Sequence, residues 1–205
     1  MAMAVSKEAL FNGDYFEGFK LHDKTDYESR ILKNFSYMER EPADKDIIHK
    51  QPIAYSIIVN PSLKKIFVYQ RASKDSKYGE KRLQGKWSWG VGGHIEKADT
   101  VNGNPIHESM LRELGEEVYM DGTVTPKMLG YINNDSDDVG KFHFGVLYIL
   151  ETDSKIVKPK SPEIDNGKLR TIQELEEMCL NPDYTVEEWS KISLEPLKKY
   201  LQTFQ

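Results

Sequence analysis

One segment constrains the fold more than any other: PIHESMLRELGEEVYM, Pro105 to Met120. Ile106, Met110, Leu114 and Val118 recur every four residues, and Leu111 widens the apolar stripe. That period belongs to a helix with one face in a core. On such a helix Glu113, Glu116 and Glu117 share a second face, because residues three and four apart lie above one another. Like charges at this spacing cost a few tenths of a kcal/mol per pair in water and more when buried. A hard divalent cation would offset that repulsion. Mg²⁺ accepts oxygen ligands and keeps positions open for water and phosphate oxygens. Taken alone, the cluster also fits a plain solvated face.

Short apolar, β-branched runs precede the helix. IAYSIIV (Ile53–Val59) and KIFVYQR (Lys65–Arg71) flank the turn PSLK and predict a hairpin. ASKDSKYGEKRLQGK reads as a charged connecting loop, and WSWGVGGHIE as a strand that breaks into glycines. Downstream, PKMLGYIN and FHFGVLYILET predict strands around the acidic loop NDSDDVGK. Two amphipathic helices follow, Ile172–Leu180 and Val186–Leu201, separated by Pro182, with Thr185 as the expected cap of the second. Hairpins mixed with crossovers predict an α/β protein with a mixed sheet covered by helices. Residues 1–48 are polar and weakly periodic, and read as an N-terminal extension to a domain spanning 49–205.

The chain of 205 residues is 39% hydrophobic and 30% charged, with net charge -5 and a pI of about 5.6. No basic footprint for a nucleic acid polymer or an anionic membrane exists in that balance. A single cysteine, Cys179, leaves no disulfide framework and fits a reducing compartment; it reads as buried and inert. With no signal-like or spanning apolar stretch, the expected location is cytoplasmic.

The stretch from Gly93 to Met120 resembles the signature of the Nudix hydrolases. RELGEEV matches that signature at each fixed position, and Gly93 stands at its glycine. Asp99, or else Glu96, takes the place of the first glutamate; twelve residues rather than seven separate Asp99 from Arg112, and Tyr119 stands where a glycine is expected. The resemblance covers roughly residues 50–185 and implies the Nudix-type α/β/α sandwich. It implies hydrolysis of a diphosphate linkage in a small nucleoside diphosphate derivative, dependent on Mg²⁺ or Mn²⁺. Glu116 and Glu117 are then metal ligands, and Glu113 is a further ligand or the general base. Arg112 orients a carboxylate, and a backbone carbonyl at Gly92 or Gly93 completes the shell.

Glu163, with Asp165 next, is the expected fourth acid, although a solvated loop acid is an equal reading. Asp135, Asp137 and Asp138 read as a hairpin tip. Arg71, Arg82 and Lys86 are the candidate phosphate contacts, and Trp87, Trp89, Tyr55 and Tyr131 the candidate base platforms, with Trp89 expected in the core. His94 reads as a hydrogen-bonding loop residue. The stripe Val186, Trp189, Ile192, Leu194, Leu197 and Leu201 either completes the core or forms a dimer interface, and the resemblance points to a homodimer. Three rivals remain. A silent nucleotide-binding or regulatory module would be expected to lose box acids, and all three are present. An isopentenyl diphosphate isomerase needs an early cysteine, whereas Cys179 is late. An unrelated acidic α/β protein would have to produce the glycine turn and the acidic helix by coincidence of order and spacing. Nucleoside triphosphates, sugar nucleotides, dinucleoside polyphosphates and coenzymes all satisfy the box, because specificity lies in loops.

Overall fold

A computed structural model describes residues 1–72, 81–101 and 103–204, with Lys81 as backbone only. Most of the charged connecting loop, and Asn102 in the stretch before the acidic helix, lie outside the described residues. The elements are β1 (Ala2–Ser6), α1 (Lys7–Phe11), β2 (Gly18–Leu21), α2 (Tyr27–Asn34), β3 (Ser36–Met38), α3 (Arg40–Ala43), β4 (His49–Asn60) and β5 (Lys65–Arg71). They continue with β6 (Trp87–Ser88), α4 (Pro105–Glu117), β7 (Val118–Met120), β8 (Val124–Asn133), β9 (His143–Thr152), β10 (Val157–Pro159), β11 (Ile164–Thr171), α5 (Ile172–Leu180) and α6 (Glu188–Gln202). The principal sheet has the strand order β11–β5–β4–β9–β8–β2. Its hairpin pairings are antiparallel, while Val186 meets Trp87 in a parallel bridge, so the strand pairing is mixed. No helix among the described residues is long and apolar enough to cross a membrane.

The chain clusters into two compact units. The first comprises Met1–Tyr55, Gly92–Glu113 and Met128–Tyr148. Here the polar N-terminal residues are folded: β1 pairs β3 through Ala2–Met38 and β4 through Val5–Lys50, and β2 pairs β8 from Gly18–Asn133 to Leu21–Gly130. Ala2, Met3, Ala4 and Val5 are fully buried. A run of four buried residues in a row does not alternate, so the strand left no period-2 signal. The rings of Phe11, Tyr27, Tyr131 and Phe144 pack edge-on or tilted and form an aromatic core. Lys50 is fully buried as well, and its ammonium donates to Asp135 and to the Gly140 carbonyl at 2.7 Å. Lys7 reaches the other oxygen of Asp135 at 3.3 Å. The acidic hairpin tip is thus tied by a partly exposed Asp135 to the buried Lys50 and to Lys7.

The second unit comprises Ser56–Val91, Leu114–Lys127 and Ile149–Gln205. The expected hairpin is present, with Val59 opposite Ile66 and Asn60 opposite Lys65. Asn60 Oδ1 accepts from the Leu63 amide at 2.9 Å and closes its turn. β5 also pairs β6 and, on its other edge, β11. The sequence reading placed no strand at DNGKLRT, and β11 forms there because Lys168–Thr171 runs opposite Val68–Lys65, where backbone pairing outweighs low strand propensity.

Two helix boundaries and one side chain differ from the sequence reading. Helix α4 ends at Glu117, and Val118–Met120 turns into β7 against β10 instead of extending the helix to Met120. Leu111 is exposed rather than part of the apolar stripe, whereas Ile106, Met110 and Val118 are buried. Thr185 does not cap α6, which starts after Glu187 because Val186 is drawn into the bridge with Trp87. The buried face of α6 carries Ser190, Ser193, Leu197 and Leu201. Trp89, fully buried as expected, donates from Nε1 to Ser193 Oγ at 3.0 Å.

Candidate active site

The glycine turn and the start of the acidic helix lie together in the first unit. A Cβ on Gly92 would stand 2.3 Å from the Ala54 carbonyl oxygen, so only glycine lets the turn lie against β4. A Cβ on Gly93 would stand 2.2 Å from Glu113 Oε1, so the same absence of a side chain makes room for the first box carboxylate. Pro105 occupies the first turn of α4, where its fixed φ suits helix entry, and Asn104 Oδ1 accepts from the Ile106 amide at 3.0 Å.

Arg112 organises this corner. Its Nε donates to Asp99 Oδ1 at 2.9 Å and its Nη2 to Asp99 Oδ2 at 3.1 Å. Its Nη1 donates to Glu113 Oε1 at 2.7 Å, and Nη2 also reaches the His94 carbonyl at 3.0 Å. Of the two acids left open by the sequence, Asp99 is therefore the arginine's partner. Glu96 instead caps the short helical turn Lys97–Thr100, its amide donating to Asp99 Oδ2 at 2.7 Å. The extra residues before the helix do not disturb the pairing. Two carboxylates raise the guanidinium pKa far above its ordinary value, with Asp99 as the main cause. A planar fork gripping a buried carboxylate fixes orientation as well as charge.

Further along α4, Glu116 is exposed and Glu117 is buried at 8% exposure. Helical spacing puts both on the face of Glu113. The chain after β10 closes on this end of the helix in the second unit: the Lys160 amide donates to the Glu117 carbonyl at 2.8 Å, and the Lys160 ammonium to the Gly115 carbonyl. Carboxylate oxygens are the donors a hard divalent cation takes: Glu113 lies beside the Gly93 turn in the first unit, and Glu116 and the buried Glu117 belong to the second.

The remaining candidates divide. Glu163 is half-buried just before β11, where its carbonyl accepts from the Ala72 amide at 2.9 Å; Asp165 is exposed. Arg71, read from the sequence as a phosphate contact, has its Nε on Glu187 Oε1 at 2.6 Å in an ion pair buried on both sides. Arg82 is exposed, and Lys86 is half-buried with its carbonyl accepting the Arg71 amide at 2.9 Å. Tyr55 and Tyr131 are buried and present no stacking face. Trp87 is half-buried, with Tyr184 beside it and the Arg170 guanidinium over its ring. Cys179 is half-buried rather than buried, and loss of solvation raises its thiol pKa.

One cluster escaped the sequence reading. His94 Nε2 lies 3.2 Å from His143 Nε2, with Asp44 close by. Burial and the neighbouring imidazole push the His94 pKa down to about 2. Residues 44, 94 and 143 are some fifty positions apart, and no spacing rule joins them.

No family model matches the chain. Protein YmaB of Bacillus subtilis (strain 168) is 31% identical over 201 residues, spanning 94% of this chain and 91% of that protein. Tm1382, a candidate Nudix hydrolase of known structure, superposes with a TM-score of 0.77 at 24% identity, covering 97% of this chain and 98% of its own. The chain belongs to the family of YmaB and has the Nudix fold. The Nudix domain of Shewanella oneidensis NrtR, solved with ADP ribose, is similar over 74% of this chain and 88% of that one, with a TM-score of 0.50 and 14% identity. The Nudix fold explains why the glycine turn, the arginine and the acidic helix end occur in this order along the chain: turn and helix follow one another around a single strand–loop–helix connection.

Proposed function

We propose that this Nudix-fold protein hydrolyses a diphosphate linkage in a nucleoside diphosphate derivative, with Glu113, Glu116 and Glu117 of α4 and the Gly93 carbonyl holding Mg²⁺ or Mn²⁺, and Glu163 as an additional acid. The observation that carries the reading is the Arg112 guanidinium, which binds Asp99 through two nitrogens and Glu113 through a third. Such a network fixes a box carboxylate in one direction before substrate arrives, and electrostatic preorganisation is the largest contribution in reactions of this kind. The bound cation supplies positive charge to phosphate oxygens and lowers the pKa of water.

The chain's own groups do the rest. Glu113, held by Arg112, is either a ligand or the base that takes the proton from the attacking water. Water oxygen forms the new bond to phosphorus, and the bridging oxygen leaves with the other half of the diphosphate. The products are a nucleoside monophosphate and the phosphorylated remainder. Arg82 and Lys86 are the proposed phosphate contacts, and Arg71 supports Glu187 instead. Residues 49–205 are the proposed hydrolase domain and 1–48 an N-terminal extension whose strands β1 and β2 pair with β4 and β8. A cytoplasmic homodimer is the proposed state.

A panel of nucleoside diphosphate derivatives, including ADP ribose because the NrtR Nudix domain was solved with it, tests the reading. Monophosphate release with Mg²⁺ and its loss with chelator are expected. Tight binding of a panel member with no turnover under any divalent metal would favour a nucleotide-binding module instead.

A further inference from the structure

Asp44 follows α3, His94 ends the glycine turn, and His143 opens β9; all three belong to the first compact unit. One ligand-type atom from each lies within 4.8 Å of the other two. The imidazole rings stand at 73° with centroids 5.1 Å apart, and their Nε2 atoms approach to 3.2 Å. Zinc–nitrogen bonds of about 2.0–2.1 Å at a tetrahedral angle put two ligand nitrogens about 3.3 Å apart. The pair therefore has the separation that one ion imposes.

The surroundings fix these groups as ligands are fixed. The Val139 carbonyl, 2.7 Å from His143 Nδ1, can only accept, so the neutral ring carries its proton there and directs the Nε2 lone pair at His94. A carbonyl holding the outer nitrogen is what sets tautomer and ring orientation in histidine metal sites. On the third side, Gln51 Nε2 donates to Asp44 Oδ1 at 3.0 Å and leaves the carboxylate its other oxygen. Two imidazoles and one carboxylate suit a borderline cation of the zinc class, in contrast to the oxygen-only set on α4.

We infer that Asp44, His94 and His143 form a second metal site, for one Zn²⁺-class ion, separate from the glutamates of α4. Its three protein ligands leave a fourth position for water or an anionic ligand. An ion here staples the segment after α3 to the glycine turn. Because Arg112 Nη2 binds the His94 carbonyl, it also steadies the turn from which Gly93 makes room for Glu113.

Co²⁺ is the probe, since its visible ligand-field bands report nitrogen–oxygen sites of low coordination. Metal-free full-length protein should take up one equivalent with such bands, and Zn²⁺ should displace it. The Glu116→Gln/Glu117→Gln protein should keep the bands. Asp44→Asn and His143→Gln should weaken Co²⁺ affinity by roughly 100-fold or more, as loss of a direct ligand must exceed the 10–100-fold cost of losing an outer partner. X-ray absorption on the wild-type Zn²⁺ complex counts two imidazoles without needing either variant to fold. Absence of bands, their persistence in His143→Gln, or fewer than two imidazoles at the ion would overturn the assignment and leave a hydrogen-bonded pair of neutral rings.

Discussion

Arg112 grips Asp99 through two nitrogens at 2.9 and 3.1 Å while a third, 2.7 Å from Glu113, holds the first box carboxylate. Asp99 is buried and the Arg112 side chain is about one-quarter exposed, so the pair is only partly screened by solvent. Removing one partner of a buried pair strands the other charge. Asp99→Ala is expected to cost about 3 kcal/mol and lower the melting temperature by about 6–12 °C. Turnover measured on the protein still folded should also fall, because Glu113 then shares an arginine that has lost its anchor. A melting temperature within a degree of wild type would show that the fork contributes nothing.

The two adjacent glycines separate structure from catalysis. Gly92→Ala drives a methyl group into the Ala54 carbonyl, which is backbone, and is expected to destabilise by about 1–3 kcal/mol. Gly93→Ala meets the Glu113 carboxylate, the end of a side chain that can rotate away. That variant should melt near the wild-type temperature yet lose roughly 100-fold in kcat, the cost of a displacement of about 1 Å at the reacting groups. Paired thermal melts and steady-state kinetics distinguish them; equal melting losses would contradict the distinction.

Arg71 and Glu187 form the second buried ion pair. Arg71→Met or Glu187→Gln alone should cost about 3 kcal/mol, and the double variant should cost less than the sum of the two. A double-mutant cycle by denaturant unfolding gives the coupling. KM on the substrate found in the panel should be equal in the two single variants. A rise confined to Arg71→Met would return Arg71 to the phosphate.

Alkaline pH should unfold the protein through its buried tyrosines. Burial pushes Tyr131 up to about 12 and Tyr148 further in the same direction. Their folded-state pKa values exceed the unfolded value of about 10, so the unfolded chain releases protons first. The Tyr131 contribution, about 2–3 kcal/mol, is complete below pH 10 and is lost as pH rises through about 12, whereas that of Tyr148 is lost only at still higher pH. Tyr131→Phe should flatten that part of the stability–pH curve; an unchanged slope would sink the assignment.

Local signals in the sequence carried much of this architecture. β5 and α5 have the expected bounds because a short apolar, β-branched run and a capping box, Thr171 with Glu174, are local features. β1 and β11 depend on partners distant in sequence: Ala2–Val5 is fully buried without alternation, and DNGKLRT becomes a strand only against β5. At the site, the RELGEEV spacing was readable because a helix turns distance along the chain into a face. Whether Asp99 or Glu96 met Arg112 was not, since the path of the intervening loop decides it. The His94–His143–Asp44 cluster was invisible for the same reason at longer range.

The α4 glutamates are proposed to carry metal-dependent diphosphate hydrolysis. The most direct measurement compares turnover by wild type and by Glu116→Gln/Glu117→Gln on the best panel substrate, across a Mg²⁺ titration, with circular dichroism confirming the fold. Saturable Mg²⁺ dependence is expected in the wild type, with a loss of at least about 100-fold in the folded variant, in line with removal of charge-stabilising groups elsewhere. Wild-type turnover indifferent to Mg²⁺, or a variant as active as wild type, would contradict it.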